Sequence, residues 1–538
     1  MWYSILVTLT LIQTIVTNWM MGLIVFDTSP FIIRLWSNYL AAALVFWSPL
    51  LFTNKRRWTY VVAILLNIWF IGNLMYFRSY GDVLNRWCML NASNLDGIWS
   101  SILPFLRWGD LFFLCVTLLW IILSETFKRG FFLPLWKRIT IAFVAFIVCC
   151  LPQTLIHKKA DLPISPFSSY YTDVSMGRVW YFHTFGAITH FVNEAINLVT
   201  NREGIVEPIK KEELTNFIQK PDSVPEQGNI LIILFESLED WTIGLQVDGQ
   251  EVTPNINRLV EHPMTGHYPM TAQVKEGKSS DARLILYNGL LPIYSGAAAM
   301  RYAANMYPSW VKHSHSLAKK CYASSASHSW NLKMNNSSFG FDTLFADIVS
   351  DGIMGEIVLN DMATTPSPFI ISVCTMASHS PFTEFVDSSS FSINNSTYDD
   401  THIRYLKCVH YTDSAIGGII TTILSDSTLA STTRIVITGD HPIFDLVTPV
   451  PFIIYDPFIP PVFVNRQLYQ IDIYTTLVAR MHIATPWHGL GKNISDSCAY
   501  TLEEIRHLES LSDRIIQTNY FATCKLTFYN SRQRLIQK

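Results

Sequence analysis

Five long apolar segments crowd the first 156 residues, and nothing like them follows. They run over Ile5–Phe26, Phe31–Phe52, Trp58–Phe77, Ile102–Leu123 and Ile139–Ile156. Most reach or approach the roughly 20 residues that a helix needs to cross a bilayer core. A soluble core can bury one such helix, but five in succession make a membrane pattern. Pro104, Arg107 and Asp110 stand in the first turns of the fourth and weaken it. The first is not a signal peptide by this reading, because no cationic region precedes it and its apolar run is too long. Residues 1–157 are therefore expected to form a transmembrane domain of five helices.

Loop charge sets the orientation. Lys55, Arg56 and Arg57 follow the second segment, and Lys128, Arg129, Lys137 and Arg138 precede the fifth. Arg34, Arg78, Arg86, Arg107, Lys158 and Lys159 lie on the other side, more widely spread. The denser loops are assigned to the cytoplasm, which puts everything after the fifth span outside. Met176–Thr200 follows, with Val179, Phe182, Phe185, Ile188, Val192, Ala195 and Val199 on one helical face. That face suits an interfacial helix or one packed on the outer domain. Asn201–Gln227, carrying Pro208, Pro221 and Pro225, reads as a linker. Residues 158–227 thus join the membrane domain to a globular domain over 228–538.

The net charge is −3, and no basic tract with interleaved aromatics occurs, which excludes a nucleic-acid partner. The nine cysteines fall at no metal-binding spacing. An external compartment permits disulfides, and Cys498–Cys524 is the pair expected.

Asn229–Phe235 is a continuous apolar run typical of a strand buried on both faces, and it ends in Glu236-Ser237. Tyr322–Ala326 leads likewise into His328 and Trp330, Phe369–Thr375 into His379, and Arg434–Thr438 into Gly439-Asp440-His441. Helical stretches at Thr253–Val260, Arg404–Leu424 and Ile473–Met481 separate them. The alternation implies an α/β fold with a largely parallel central sheet. Ligands bind such sheets at the carboxyl ends of the strands, so Glu236, His379, Asp440 and His441 can share one crevice.

A hydroxyl joins them. In Glu276-Gly277-Lys278-Ser279-Ser280-Asp281-Ala282-Arg283, Ser279 or Ser280 is placed to cap the helix that begins there. Its free N–H groups suit an anion. A Walker A loop is excluded, because Ala272 stands where a glycine is required. Two carboxylates, an imidazole and a hydroxylate give mixed O/N ligation suited to Mn²⁺ or Mg²⁺ and tolerable for Zn²⁺. Such an ion would hold Ser279 near its alkoxide form and neutralise a transferring phosphoryl group.

Phe235-Glu236-Ser237-Leu238-Glu239-Asp240, Glu251-Val252-Thr253-Pro254-Asn255-Ile256, Gly277-Lys278-Ser279-Ser280-Asp281-Ala282 and Gly439-Asp440-His441 resemble the lipoteichoic acid synthase family in order and spacing. Phe339-Gly340-Phe341-Asp342, Ser378-His379-Ser380-Pro381-Phe382 and Gln470-Ile471-Asp472-Ile473 extend the resemblance over most of residues 229–480. That family comprises bacterial membrane phosphoglycerol transferases with five spans and a sulfatase-like, alkaline-phosphatase-superfamily outer domain. The resemblance implies Ser279 as nucleophile in place of the family's threonine. It implies Glu236, Ser279, Asp440 and His441 as the site of one divalent metal, Mn²⁺ first. It implies His379, Trp330 and His328 as headgroup contacts, with Lys278 steadying phosphate charge. It further implies a phosphatidylglycerol donor, a glycan or glycolipid acceptor, and a multi-pass protein of the cytoplasmic membrane with an extracytoplasmic catalytic domain.

Three positions depart from the family pattern. Leu332 replaces the headgroup-binding arginine, Asp445 replaces a serine after the Asp-His pair, and Arg283 stands where an acid is usual. An amine headgroup would suit Asp445, so phosphoethanolamine transfer from phosphatidylethanolamine is an alternative. A membrane-anchored sulfatase or phosphodiesterase is another, since Arg283 lies four residues after Ser279 as in the sulfatase signature. The signature's proline is missing, and serine replaces its cysteine. An inactive envelope receptor or scaffold is the reading from a different class, and the complete metal set argues against it.

Overall fold

The computed structural model describes residues 2–23, 30–48, 56–80, 82–88, 103–126, scattered positions between 134 and 143, and 177–200. It further describes 206–218, 226, 228–383, 391–394, 397–445 and 447–523. They fall into two compact units, one within Met1–Ile205 and the other from Val206 onward.

Among the described residues the elements of the first unit are helical, the longer ones being α1 (Trp2–Met20), α2 (Pro30–Trp47), α3 (Arg56–Tyr80), α4 (Leu111–Thr126) and α5 (Gly177–Thr200). Among the described residues one stretch, Trp58–Ser79, is long and apolar enough to cross a membrane. Ile5–Met20, Asn38–Trp47 and Trp108–Ile122 are apolar but shorter. The fifth expected span, Ile139–Ile156, lies almost wholly outside the described residues. The fourth begins later than its hydropathy suggested. Asp110, fully buried, takes both Nη1 (2.6 Å) and Nη2 (2.8 Å) of Arg78 and the N–H of Arg107 (2.8 Å). This two-pronged pair holds 103–110 as short turns ahead of α4.

The helix expected over Met176–Thr200 belongs to this unit. It breaks at Gly186, whose φ of 83° is left-handed. A Cβ there would come within 2.7 Å of the Tyr39 ring. The break frees backbone carbonyls, and polar groups of α2 and α3 take them. Asn38 Nδ2 donates to Thr184 O (2.8 Å), Trp69 Nε1 to Ala187 O (3.0 Å), and the Tyr39 hydroxyl to His183 O.

The second unit is built on an eight-stranded sheet. Its strands are β1 (Asn229–Phe235), β4 (Thr265–Thr271), β5 (Ala318–Ala323), β6 (Thr343–Phe345), β7 (Phe369–Cys374), β8 (Thr433–Gly439), β9 (Val450–Tyr455) and β10 (Leu468–Tyr469), with β2 (Gln246–Val247) and β3 (Gln250–Glu251) forming a separate hairpin. The order is β10-β4-β9-β8-β1-β7-β5-β6, and among the described strands of this sheet only β9 runs against its neighbours.

Every residue of β1 is buried because the sheet is covered on both faces. Ile230, Ile232 and Leu234 enter a core with α7 (Ser279–Asn288), α11 (Asp472–Met481) and α12 (Leu502–Gln517). Leu231, Ile233 and Phe235 enter the other, with α6 (Pro254–Val260), α9 (Asp351–Met362) and α10 (Asp400–Ser425). Helix α8 (Leu332–Phe339) follows β5. The linker is shorter than expected, because Leu214 is fully buried, Ile218 bridges to Trp487, and Arg514 Nη1 of α12 reaches Glu213 at 3.3 Å. Cys498 is exposed, and Cys524 lies outside the described residues.

Helices α9 and α10 cross closely at Gly355, where a Cβ would lie 2.3 Å from the Ala415 carbonyl. Alanine normally favours a helix over glycine by about 1 kcal/mol, but here overpacking of about 1–3 kcal/mol opposes it. Gly355→Ala is expected to lower the thermal midpoint by about 2–4 °C. A rise would contradict this close contact.

Candidate metal and nucleophile site

The strands that form the middle of the sheet, β7, β1 and β8, are parallel and end together. Glu236 follows β1, Asp440 and His441 follow β8, and the loop to His379 follows β7. β1 and β8 are in register to their last residues, Phe235 beside Gly439. The next residues of the two strands, Glu236 and Asp440, therefore emerge side by side.

Both carboxylates are almost completely buried. Asp440 Oδ1 accepts the backbone N–H of Ser237 (2.7 Å) and of His441 (2.7 Å). Its other oxygen faces His441 Nε2 at 3.7 Å, and Glu236 Oε1 faces the same nitrogen at 3.6 Å. Donor atoms of Glu236, Asp440 and His441 all lie within 4.8 Å of one another. Burial, reinforced by the nearby Asp440, pushes the Glu236 carboxyl well above the usual range. Burial lowers His441, with Asp440 opposing the shift. Two like charges this close are costly to ionise together in a dry site, and a divalent cation resolves that conflict. The imidazole is ready for one, because its Nδ1 bonds the Pro442 carbonyl (3.1 Å) and leaves the Nε2 lone pair inward. The donor set therefore fits a hard or borderline divalent ion.

Ser279 is the first residue of α7 rather than its cap. Lys278 occupies the cap position with φ of 45°, and Ser280 Oγ turns back to Gly277 O (2.6 Å). The cause is Asp281, whose Oδ2 accepts the N–H groups of Lys275 (2.9 Å) and Gly277 (2.9 Å). That tightens the loop so that only glycine fits at 277, where a Cβ would lie 2.2 Å from Asp281 Oδ1. Ser279 Oγ is thereby aimed at Glu236 Oε2, to which it donates at 3.1 Å. Lys278 sits in the same electrostatic environment. Burial lowers its pKa to about 8, while Asp440 and Glu236 resist the shift.

His379 is partly buried, and its Nδ1 bonds Ser380 O (2.7 Å). Burial lowers its pKa against the pull of that carbonyl and of Asp440. The other expected contacts are dispersed. His328 is exposed and Trp330 half-buried in the turn after β5, two strands from β1. Leu332 is buried at the start of α8, Lys333 is exposed, and Arg283 points away from solvent toward Cys321 and Asn336. Asp445 is exposed and accepts the N–H of Val447 (3.2 Å) in its own turn.

Several supporting groups escaped the sequence. Ser237, at φ of 52°, donates through Oγ to Glu236 Oε1 (2.9 Å). Thr375 Oγ1 accepts Glu236 N–H (2.9 Å), and Ser378 Oγ donates to Glu236 O (2.5 Å). Gln470 Nε2 holds Asp440 O (2.8 Å), while Glu239 accepts the N–H groups of Ile443 (2.8 Å) and Phe444 (3.1 Å) just past His441. Ser237, Glu239, Ser378 and Gln470 stand inside the quoted motifs and Thr375 ends a quoted strand, but sequence alone assigned none of them a role.

This fold and site define a sulfatase-type domain carried on a helical amino-terminal unit. Two family models divide the chain accordingly: the lipoteichoic acid synthase N-terminal domain matches residues 1–195 and the sulfatase domain residues 228–483. The chain belongs to the lipoteichoic acid synthase-like family. It is 25% identical to the lipoteichoic acid synthase-like YvgJ of Bacillus subtilis over 72% of this chain and 66% of that protein. It is 23% identical to the lipoteichoic acid synthase of Staphylococcus aureus (strain USA300) over 76% of this chain and 67% of that protein. The match thus spans about two thirds of the length of these relatives. The integral membrane lipooligosaccharide phosphoethanolamine transferase A from Neisseria meningitidis shares the fold, with a TM-score of 0.53 at 11% identity over 89% of this chain and 95% of that one.

Asp440→Ala should weaken Mn²⁺ binding to the full-length protein by at least about 100-fold in calorimetric titration, more than loss of a supporting group typically does. Unchanged affinity would remove Asp440 from the metal site.

Proposed function

We propose that the protein is a metal-dependent phosphotransferase that moves a phospho-headgroup from a membrane phospholipid to a glycan or glycolipid hydroxyl. Phosphoglycerol from phosphatidylglycerol is the headgroup proposed first, and phosphoethanolamine is the second reading. The observation that carries the proposal is the aim of Ser279 Oγ at Glu236 within a cluster completed by Asp440 and His441. Family membership supports it. In the cell the amino-terminal unit is proposed to span the cytoplasmic membrane five times, presenting the outer domain to the extracytoplasmic side, where the lipid donor is within reach.

Glu236, Asp440, His441 and Ser279 would hold one divalent ion, Mn²⁺ by preference, which supplies positive charge that favours the serine alkoxide and offsets charge on phosphorus. Ser279 Oγ, its proton given up to solvent, attacks the phosphorus of the phosphodiester. The bond to the diacylglycerol oxygen breaks as the new O–P bond forms, and His379 gives that oxygen its proton. In the second half the neutral imidazole takes a proton from the acceptor hydroxyl, which attacks phosphorus and releases Ser279. Burial lowers the His379 pKa, which favours the neutral imidazole of the second half, and the proton it gives in the first half is the one taken from the acceptor hydroxyl in the preceding turnover. Lys278 steadies phosphate oxygens beside the nucleophile.

Diacylglycerol release from phosphatidylglycerol and phosphatidylethanolamine vesicles tests the reading. Wild type with Mn²⁺ should release diacylglycerol from one donor preferentially. Ser279→Ala should lose at least about 10³-fold and His379→Ala about 10²–10⁴-fold. Chelation should stop release, and Mn²⁺ should restore it. Rapid sulfate-ester hydrolysis with no lipid turnover would favour the sulfatase reading instead.

A further inference from the structure

We infer that Asp351, far from the reacting atoms in sequence, is the positioning residue that sets the His379 loop. The inference rests on the role of His379 proposed above and adds the group through which that role is fixed. Asp351 opens α9 and is 1% exposed. Its two carboxylate oxygens accept from three directions. The loop after β7 contributes the N–H of Met376 (2.9 Å to Oδ1, 3.2 Å to Oδ2) and of Ala377 (2.9 Å). Thr412 Oγ1 of α10 donates at 2.9 Å, and Ser324 Oγ, just past β5, donates as well.

A carboxylate has about four lone-pair sites, and here protein donors fill them. The start of α9 also favours a negative charge at this point. The consequence runs along the loop. Asp351 fixes Met376 N–H, and the Met376 carbonyl accepts His379 N–H (2.9 Å), closing the turn that carries the imidazole. On the other side, Thr375 and Ser378 bind the backbone of Glu236. The loop is held between Asp351 and the metal cluster, and only the Asp351 end is free of the proposed metal ligands.

Asp351→Asn keeps size and removes the charge, and one face of its amide presents donors to donors. The expected result is a 10–100-fold loss of diacylglycerol release with Mn²⁺ affinity within about twofold of wild type. Against a His379→Ala background the same change should cost little more, because both act through one imidazole. Thr412→Val, which removes a donor to Asp351 without touching the loop, should cost less than Asp351→Asn. Hydrogen–deuterium exchange of full-length Asp351→Asn should speed selectively at Met376 and Ala377. Losses that multiply in the double variant, or collapse of Mn²⁺ binding, would overturn the inference. Unchanged exchange at Met376 and Ala377 would overturn it even if the wild type proved inactive on every lipid, an outcome that would defeat the transfer reading separately.

Discussion

Two buried acids that cannot comfortably both be charged are the constraint on which the rest of the site depends. Glu236 and Asp440 are brought side by side by parallel pairing of β1 and β8, so their proximity is a property of sheet register. Without a cation the pair is strained electrostatically, and Glu236 resists ionisation. With one, the same closeness becomes ligation. His441 Nε2 and Ser279 Oγ approach this point from a strand end and a helix start, and each is oriented by a second bond behind it.

The sheet accounts for this convergence. A strand buried on both faces leaves polar residues only at its ends, and three neighbouring parallel strands put those ends in one row. Helix α7 then needs only a tight entry to present its first side chain, and Asp281 supplies that by binding Lys275 and Gly277. The supporting groups work at one remove. Thr375, Ser378, Ser237 and Gln470 hold the backbone or carboxylates of the ligands, while Asp351 and Glu239 hold the loops on either side. Apart from the Ser237 bond to its neighbour Glu236, these hydrogen bonds join residues far apart in sequence, which makes the edge a connected polar network.

The same physics explains what was legible beforehand. Runs such as Asn229–Phe235 and Arg434–Thr438 announce themselves by continuous hydrophobicity, so the polar residues that end them were readable. β4 was not, because Gly266 and Pro269 interrupt its pattern; its pairing with β9, where Pro269 faces Pro451, and with β10 makes it a strand. β5 carries Lys319 and Lys320 just after its first residue, and the latter is accommodated by Asp361 at 2.6 Å, a partner that spacing cannot reveal. Helix α4 is shortened by the Arg78–Asp110 pair, again a contact between distant residues. Ser279 was readable as a helix-start hydroxyl, but its aim at Glu236 depends on Asp281 and on a glycine with no room for a Cβ. Asp445 was assigned to a headgroup by its chemistry, whereas its nearest use is the turn it helps close.

The most direct test of a metal-held nucleophilic serine is rapid-quench intact-protein mass spectrometry. Full-length protein would be mixed with Mn²⁺ and with phosphatidylglycerol or phosphatidylethanolamine, beside Ser279→Ala. The account predicts a transient phosphoglycerol or phosphoethanolamine adduct on the wild type, dependent on Mn²⁺ and absent from the variant. Lipid turnover with no adduct at any time, or an adduct that survives in Ser279→Ala, would contradict it.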